Sequence, residues 1–171
     1  YTGSVTGYSG LYIWRGESPA VDATVVNTIF ANNVGRAIYC GYTSTYNHVV
    51  RLANCLFHGN SEDFTNADAY AAYLDLGGNI TSMPGGTGIT TSTYTFAGLS
   101  DPAGGNFALA AASAAIDAGT SGGVSGVTIP TVDLFGNARD FDMPGVGGAA
   151  PGNAYDIGAV ERLTTDLGIR P

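Results

Sequence analysis

One interval recurs along this chain. Leu11-Tyr12-Ile13 realigns with Ile38-Tyr39-Cys40, 27 positions later. At the same offset, Asn27-Thr28-Ile29-Phe30-Ala31-Asn32-Asn33 realigns with Asn54-Cys55-Leu56-Phe57-His58-Gly59-Asn60. A period of about 20–30 residues, made of short apolar segments and Gly/Asn corners, points to a solenoid. Each turn of a solenoid buries its apolar face only against the turns above and below. Apolar positions must therefore recur at the full repeat length, and Val25, Ile29 and Phe30 match Leu52, Leu56 and Phe57. The Asn pairs 27/54 and 33/60 should stack at corners, where amide side chains bond backbone groups and left-handed conformations are tolerated.

Segments 10–14, 25–30, 37–40 and 49–57 read as short strands punctuated by Gly, Asn, Ser and Pro. A third turn should begin near residue 65. The run 69–76 has helical as well as strand character, and the register favours a strand around 72–76. Asn79-Ile80 then continues the Asn-apolar pair with a small slip in spacing. Residues 1–84 are thus expected to form about three coils, and the repeat ends at about residue 85. Residues 85–95 are nearly all Gly, Thr and Ser, a loop or extended edge. The Ala-rich run 108–115 favours helix, but Gly105 and Gly119 leave room for only a turn or two. Gly122–Gly126 and Gly145–Gly152 add two flexible stretches. Residues 85–171 are expected to cap the same domain, because an uncovered last coil exposes apolar surface and strand edges.

Composition agrees. In 171 residues there are 26 glycines and ten tyrosines, which favour strands and turns over helices. Fourteen acidic residues stand against six arginines and no lysine, for a net charge of −8. Such a surface repels nucleic acid and anionic lipid, so no nucleic-acid partner is expected. Without lysine, a lysine Schiff base or general base is excluded. No run of about 18 apolar residues exists to span a membrane. No signal peptide is visible, and the opening at Tyr1 in strand-like sequence reads as a processed or partial chain with an uncapped first coil. Cys40 and Cys55 fall at different repeat positions and read as small core residues or as a disulfide between consecutive segments.

Four motifs follow the coils in order. They are Asp101-Pro102-Ala103-Gly104-Gly105-Asn106-Phe107-Ala108-Leu109, Ser113-Ala114-Ala115-Ile116-Asp117-Ala118-Gly119, Asp133-Leu134-Phe135-Gly136-Asn137-Ala138-Arg139 and Asp156-Ile157-Gly158-Ala159-Val160-Glu161. Together they resemble the C-terminal signature of pectin-lyase-like, right-handed parallel β-helix surface proteins of the choice-of-anchor type. Ala114 replaces the family's usual Pro, and Val160 its usual aromatic. The resemblance implies an all-β fold: a short right-handed parallel β-helix of about three coils with an irregular C-terminal cap. It also implies a secreted or surface-exposed bacterial protein whose four motifs organise the last coil and are not catalytic.

Candidate chemistry is sparse. Asp133, Asp140, Asp142 and Asp156 form the best acidic set, and Ca²⁺ would be its ligand because hard cations take several carboxylate and carbonyl oxygens. The alternative pairs Arg139 with Asp156 or Glu161 and lets the aspartates cap turns. Polysaccharide lyases on β-helices use a Lys or Arg base, and a hydrolase needs two carboxylates facing one groove. Arg36 and Arg51 lie in or beside the coils, but Asp22 aligns with Val49, so no stacked acid pair emerges. Glu62-Asp63 reads as a solvated corner, and His48 and His58 as surface or corner residues. Tyr12, Trp14 and Tyr39 could stack on sugars, although the Tyr12/Tyr39 equivalence equally makes an aromatic ladder.

The leading expectation is a non-enzymatic extracellular or cell-surface structural or adhesive module that requires no cofactor. Its partners would be further copies joined head to tail through an open coil end into a filament or matrix, or other surface proteins. The alternative is a carbohydrate-binding or polysaccharide-degrading β-helix, a lyase or glycoside hydrolase if an enzyme at all.

Overall fold

The computed structural model describes residues 10–15, 21–42, 48–64, 71–81, 98–101, 106–142 and 154–163. These residues contain eleven strands and no helix, so no helix among them is long and apolar enough to cross a membrane. The strands are β1 (Leu11–Arg15), β2 (Asp22–Val26), β3 (Ile29–Ala31), β4 (Arg36–Tyr42), β5 (His48–Ala53), β6 (Leu56–His58), β7 (Glu62–Phe64), β8 (Ala71–Asp75), β9 (Ile80–Thr81), β10 (Leu99–Asp101) and β11 (Asn106–Leu109).

The first nine strands form three parallel sheets, ordered β1-β4-β7, β2-β5-β8 and β3-β6-β9. The chain visits the sheets in turn and returns to each one rung lower, a pattern compatible with a β-helix-like solenoid. Pairing follows the repeat: Leu11 opposite Ile38, Val25 opposite Leu52, Phe30 opposite Phe57. Below that, Ile38 lies opposite Phe64, Val50 opposite Tyr73 and Leu56 opposite Ile80, which are steps of 26, 23 and 24 residues. The expected strand at 72–76 is β8, and Ile80 does continue the ladder of Ile29 and Leu56.

The corners account for both the regularity and the slip. The expected strands 25–30 and 49–57 are each divided in two by Asn27 and Asn54, both at φ 48°. Asn tolerates this left-handed backbone because its short side chain finds local partners. In the third rung Gly78 (φ 69°) occupies the corner, and a Cβ there would lie 2.3 Å from Asn54 Nδ2. Asn79 is therefore the successor of Thr28 and Cys55 and not of the corner asparagines. It accepts from Cys55 N (2.9 Å) and donates to Leu52 O (2.8 Å). The 33/60 pair stacks as its spacing predicts, with Asn33 Nδ2 donating to Asn60 Oδ1 at 2.7 Å.

Between the sheets lies an apolar core that includes Ile13, Phe30, Ile38, Val50, Leu52, Phe57, Phe64 and Tyr73. Phe30 and Phe57 stack at 5.1 Å, and Phe64 meets Phe57 edge-on at 4.7 Å. Cys55 is buried with a free thiol in contact with the carbonyls of Ala53 and Val25, and burial raises its pKa to about 11. The side chain of Cys40 lies outside the described residues. Two residues expected at the surface are instead interior. His48 is buried and accepts from Val21 N at 3.0 Å. Asp63 is buried against Asn60 Nδ2 and Thr81 Oγ1, while its neighbour Glu62 is exposed.

The C-terminal part packs along a flank. β10 and β11 pair antiparallel, and Leu109, Ala115, Ile116 and Ile157 form a second apolar cluster with Leu56, flanked by Ile29 and Ile80. These contacts run down the outer face of the third sheet across all three of its strands. The described part of this region clasps the side of the stack. The Ala-rich run forms turns instead of helix, because β11 occupies it through Leu109 and Ala112 and Asp117 adopt left-handed backbone. The expected loops at 85–95 and 145–152 lie outside the described residues.

Candidate functional site

Two regions gather polar side chains: the clasp between flank and coils, and the outer face of the first sheet. The clasp begins at the asparagine corners. Asn27 Nδ2 donates to Thr120 O and Thr120 N donates back to Asn27 Oδ1, both at 2.8 Å. One rung lower, Asn54 Nδ2 donates to Ala118 O at 2.9 Å. Gly158 N closes the third link by donating to Asn27 O at 2.9 Å. The corner amides thus serve as the seam on which the flank is sewn.

Three of the sequence motifs interlock here. Ile157 N donates to Ala115 O (2.8 Å), Gly119 N to Tyr155 O (2.6 Å) and Leu134 N to Ala159 O (2.8 Å). Gly119 must lack a side chain, because a Cβ would lie 2.7 Å from the carbonyl oxygens of both Tyr155 and Asp156. Asp133 organises its own turn. Its Oδ1 accepts from Phe135 N and Asn137 N at 2.8 Å, and its Oδ2 from Asn137 Nδ2 (3.0 Å) and Glu161 N (3.1 Å). Burial alone would raise its pKa, but the hydrogen bonds from Asn137, Glu161 and Phe135 outweigh burial and hold it below the usual carboxylate range.

Asp156 joins the other two motifs. Its Oδ1 accepts from Asp117 N at 2.8 Å and its Oδ2 from Arg162 N at 2.7 Å. Arg139 Nη2 donates to the carbonyls of Asp156 (2.7 Å) and Gly158 (2.9 Å), while its guanidinium lies over the Tyr155 ring at 5.5 Å. Arg139 Nε stands 3.6 Å from Glu161 Oε2. Burial pushes Asp156 up to about 6, against the N–H groups of Asp117 and Arg162. Burial and then the charge of Asp156 push Glu161 up to about 8.

Of the four aspartates nominated for calcium, the structure therefore sets Asp133 and Asp156 on backbone N–H groups, and Asp140 and Asp142 at the surface. Among the described residues no group of three or more His, Cys, Asp or Glu is placed to hold a metal ion. Arg139 pairs with Glu161, as the turn-capping alternative has it. Arg162, whose guanidinium reaches Leu109 O, had no sequence signal because it lies just past the last motif.

On the first sheet, Tyr12 and Tyr39 stack at 5.0 Å with their planes 8° apart. The Arg36 guanidinium lies 5.3 Å from the centre of the Tyr39 ring and binds Glu62 at 2.6 Å. Arg51 pairs with Asp22 across the second sheet. The side chain of Trp14 lies outside the described residues. A groove of about 480 Å³ between β3 and the flank is lined mainly by apolar residues, among them Ile29, Leu109, Leu134, Ile157 and Val160. Comparison with known proteins found no matching family model, no matching curated protein and no matching solved structure.

Proposed function

We propose that this chain is a non-enzymatic structural or adhesive module, acting outside the cell or at its surface. In this reading the three sheets are coils of a right-handed parallel β-helix of the pectin-lyase-like type, clasped by a choice-of-anchor C-terminal region. Crossovers between parallel strands of one sheet are right-handed in about 98% of cases, which supports the handedness. The observation that carries the functional reading is how the coils use their polar side chains. Arg36–Glu62, Arg51–Asp22, Asn33–Asn60 and Tyr12–Tyr39 each join one rung to the next. Side chains committed to ladders build a stiff rod.

Among the described residues each sheet ends in strands with a neighbour on one side only, β1, β2 and β3 at one end of the stack and β7, β8 and β9 at the other. Strand edges recruit further strands, and unlike ends that meet make a heterologous contact, which propagates into fibres. The test is molar mass by light scattering across a wide concentration range. Mass that climbs without limit is expected of a filament or matrix subunit, and a constant monomer mass sinks self-assembly by this chain.

A second reading, carbohydrate binding, rests on the exposed Tyr12 ring stacked on Tyr39 beside Arg36 and Glu62. Aromatic faces next to polar groups suit sugar rings. Under this reading Tyr39→Ala loses retention on a polysaccharide column while the molar mass is unchanged.

A further inference from the structure

The flank sets an apolar ridge beside an apolar groove. The ridge is the turn 132–138, where Val132, Leu134 and Phe135 are 50%, 64% and 62% exposed. Large apolar side chains exposed together mark an interaction surface. The turn is stiff. Asp133 Oδ1 accepts from Phe135 N and Asn137 N, Asp133 N donates to Asn137 O at 2.8 Å, and Arg139 N donates to Thr131 O at 3.0 Å. The backbone of Phe135 is fixed before any partner arrives, which lowers the cost of binding through its ring.

The groove, about 480 Å³ between β3 and the flank, begins one residue away. Ile29, Leu99, Leu109, Leu134, Ile157 and Val160 supply its apolar lining, and no charged residue is among the described residues that form it. Gly158 (φ 126°) keeps the floor low, since a Cβ there would come within 3.1 Å of Ile29 Cδ1. Leu134 belongs to both features: it projects from the ridge and lines the groove.

Charge and shape together select the occupant. With a net charge of −8 and no lysine, two copies of this chain repel one another in most orientations. An uncharged groove and an apolar ridge are where they can meet. A small ligand confined to the groove would leave the ridge in water. A partner that covers both must offer a groove for the ridge and a ridge for the groove, and this chain carries that pair side by side. Adjacent, complementary features suit a two-fold contact, because each is then used twice across one axis.

We propose that the flank is a pairing surface for a second copy of this chain, with Phe135 of each copy seated in the groove of the other. The contact is isologous and closes on itself, so it joins two molecules side by side and stops there. It uses none of the strand edges at the ends of the stack.

Sedimentation of the whole chain from about 1 μM to about 1 mM, which spans weak to moderate affinities, tests this. A monomer–dimer equilibrium is expected, tighter at about 0.5 M NaCl than at about 0.05 M, because screening relieves the repulsion between two anions. Phe135→Ser removes the inserted ring, and Ala159→Arg sets a charge at the groove; both positions are exposed, so neither change disturbs the core. Each is expected to weaken pairing at least about thirtyfold, as loss of an interface hot spot does. Hydrogen exchange in the wild-type dimer should gain protection at 133–137 and 157–160 relative to Phe135→Ser. A wild type that is monomeric throughout overturns the proposal. So does a dimer that salt weakens, or one that either variant leaves intact. Mass that climbs equally in wild type and Phe135→Ser, with protection gained at β1–β3 or β7–β9 and not in the flank, overturns lateral pairing and leaves growth through the ends standing.

Discussion

The coils and the flank that clasps them are held together by opposite means. In the coils, like stacks on like: Phe30 on Phe57, Tyr12 on Tyr39, Asn33 on Asn60. Each contact joins a residue to its counterpart one rung away, and the main driving force is apolar burial, which is insensitive to direction. The flank repeats nothing. Its cluster of carboxyls and guanidiniums depends on individual N–H and carbonyl partners, and such networks gain little unless every member is satisfied. A periodic core and a bespoke polar clasp share one molecule, and they should fail differently.

The largest expected effect is in the coils. Phe57 is fully buried and touches both Phe30 and Phe64. Phe57→Ala should cost about 3–5 kcal/mol of stability, measured by urea unfolding. A loss below about 1 kcal/mol would mean that the phenyl ladder is not the centre of the core. Next comes the seam. Asn27→Ala removes both side-chain bonds to Thr120, and should cost about 1–3 kcal/mol through unsatisfied backbone groups. Its exchange signature should be confined to 113–120. Equal loosening of β5 and β6 would erase the distinction between the two regions. The smallest effect belongs to the solvated ladder on the first sheet. Arg36→Ala should cost only about 0.2–1 kcal/mol, less in high salt. A salt-independent loss would point to the Tyr39 contact instead of the Glu62 ion pair.

The same division explains what could be read from the sequence. Ladders are legible because a side chain that stacks on its own repeat leaves the same residue type at a fixed interval. The pairing of Leu11 with Ile38 and of Phe30 with Phe57 needed nothing more. The corner at Gly78 was harder, because asparagine and glycine solve the same left-handed backbone by different routes and share no letter. His48 and Asp63 misled for a related reason: a polar residue reads as exposed unless its buried partners are known, and Val21 N and Thr81 are distant in sequence. In the flank, motif order revealed that four segments belong together but not what joins them. In sequence Asp133 and Asp156 read equally as cation ligands and as turn caps, because a carboxylate facing N–H groups and one facing a metal are spelled identically. The lateral placement of the flank depends on Asn27 and Asn54 pointing outward to Thr120 and Ala118, and spacing carries no such direction.

The left-handed corners also bear on how such a chain can change length. Between Leu52 and Leu56 the second rung turns through three residues, whereas the aligned positions Asp75 and Ile80 enclose four. The additional residue is taken up where Gly77 and Gly78 both have positive φ. An extra residue within a strand would have turned every following side chain to the opposite face. At the corner it leaves Ile80 beneath Leu56 and Thr81 beneath Phe57. Insertions and deletions are therefore tolerated by place: the corners absorb a change of length, and the strands keep their phase.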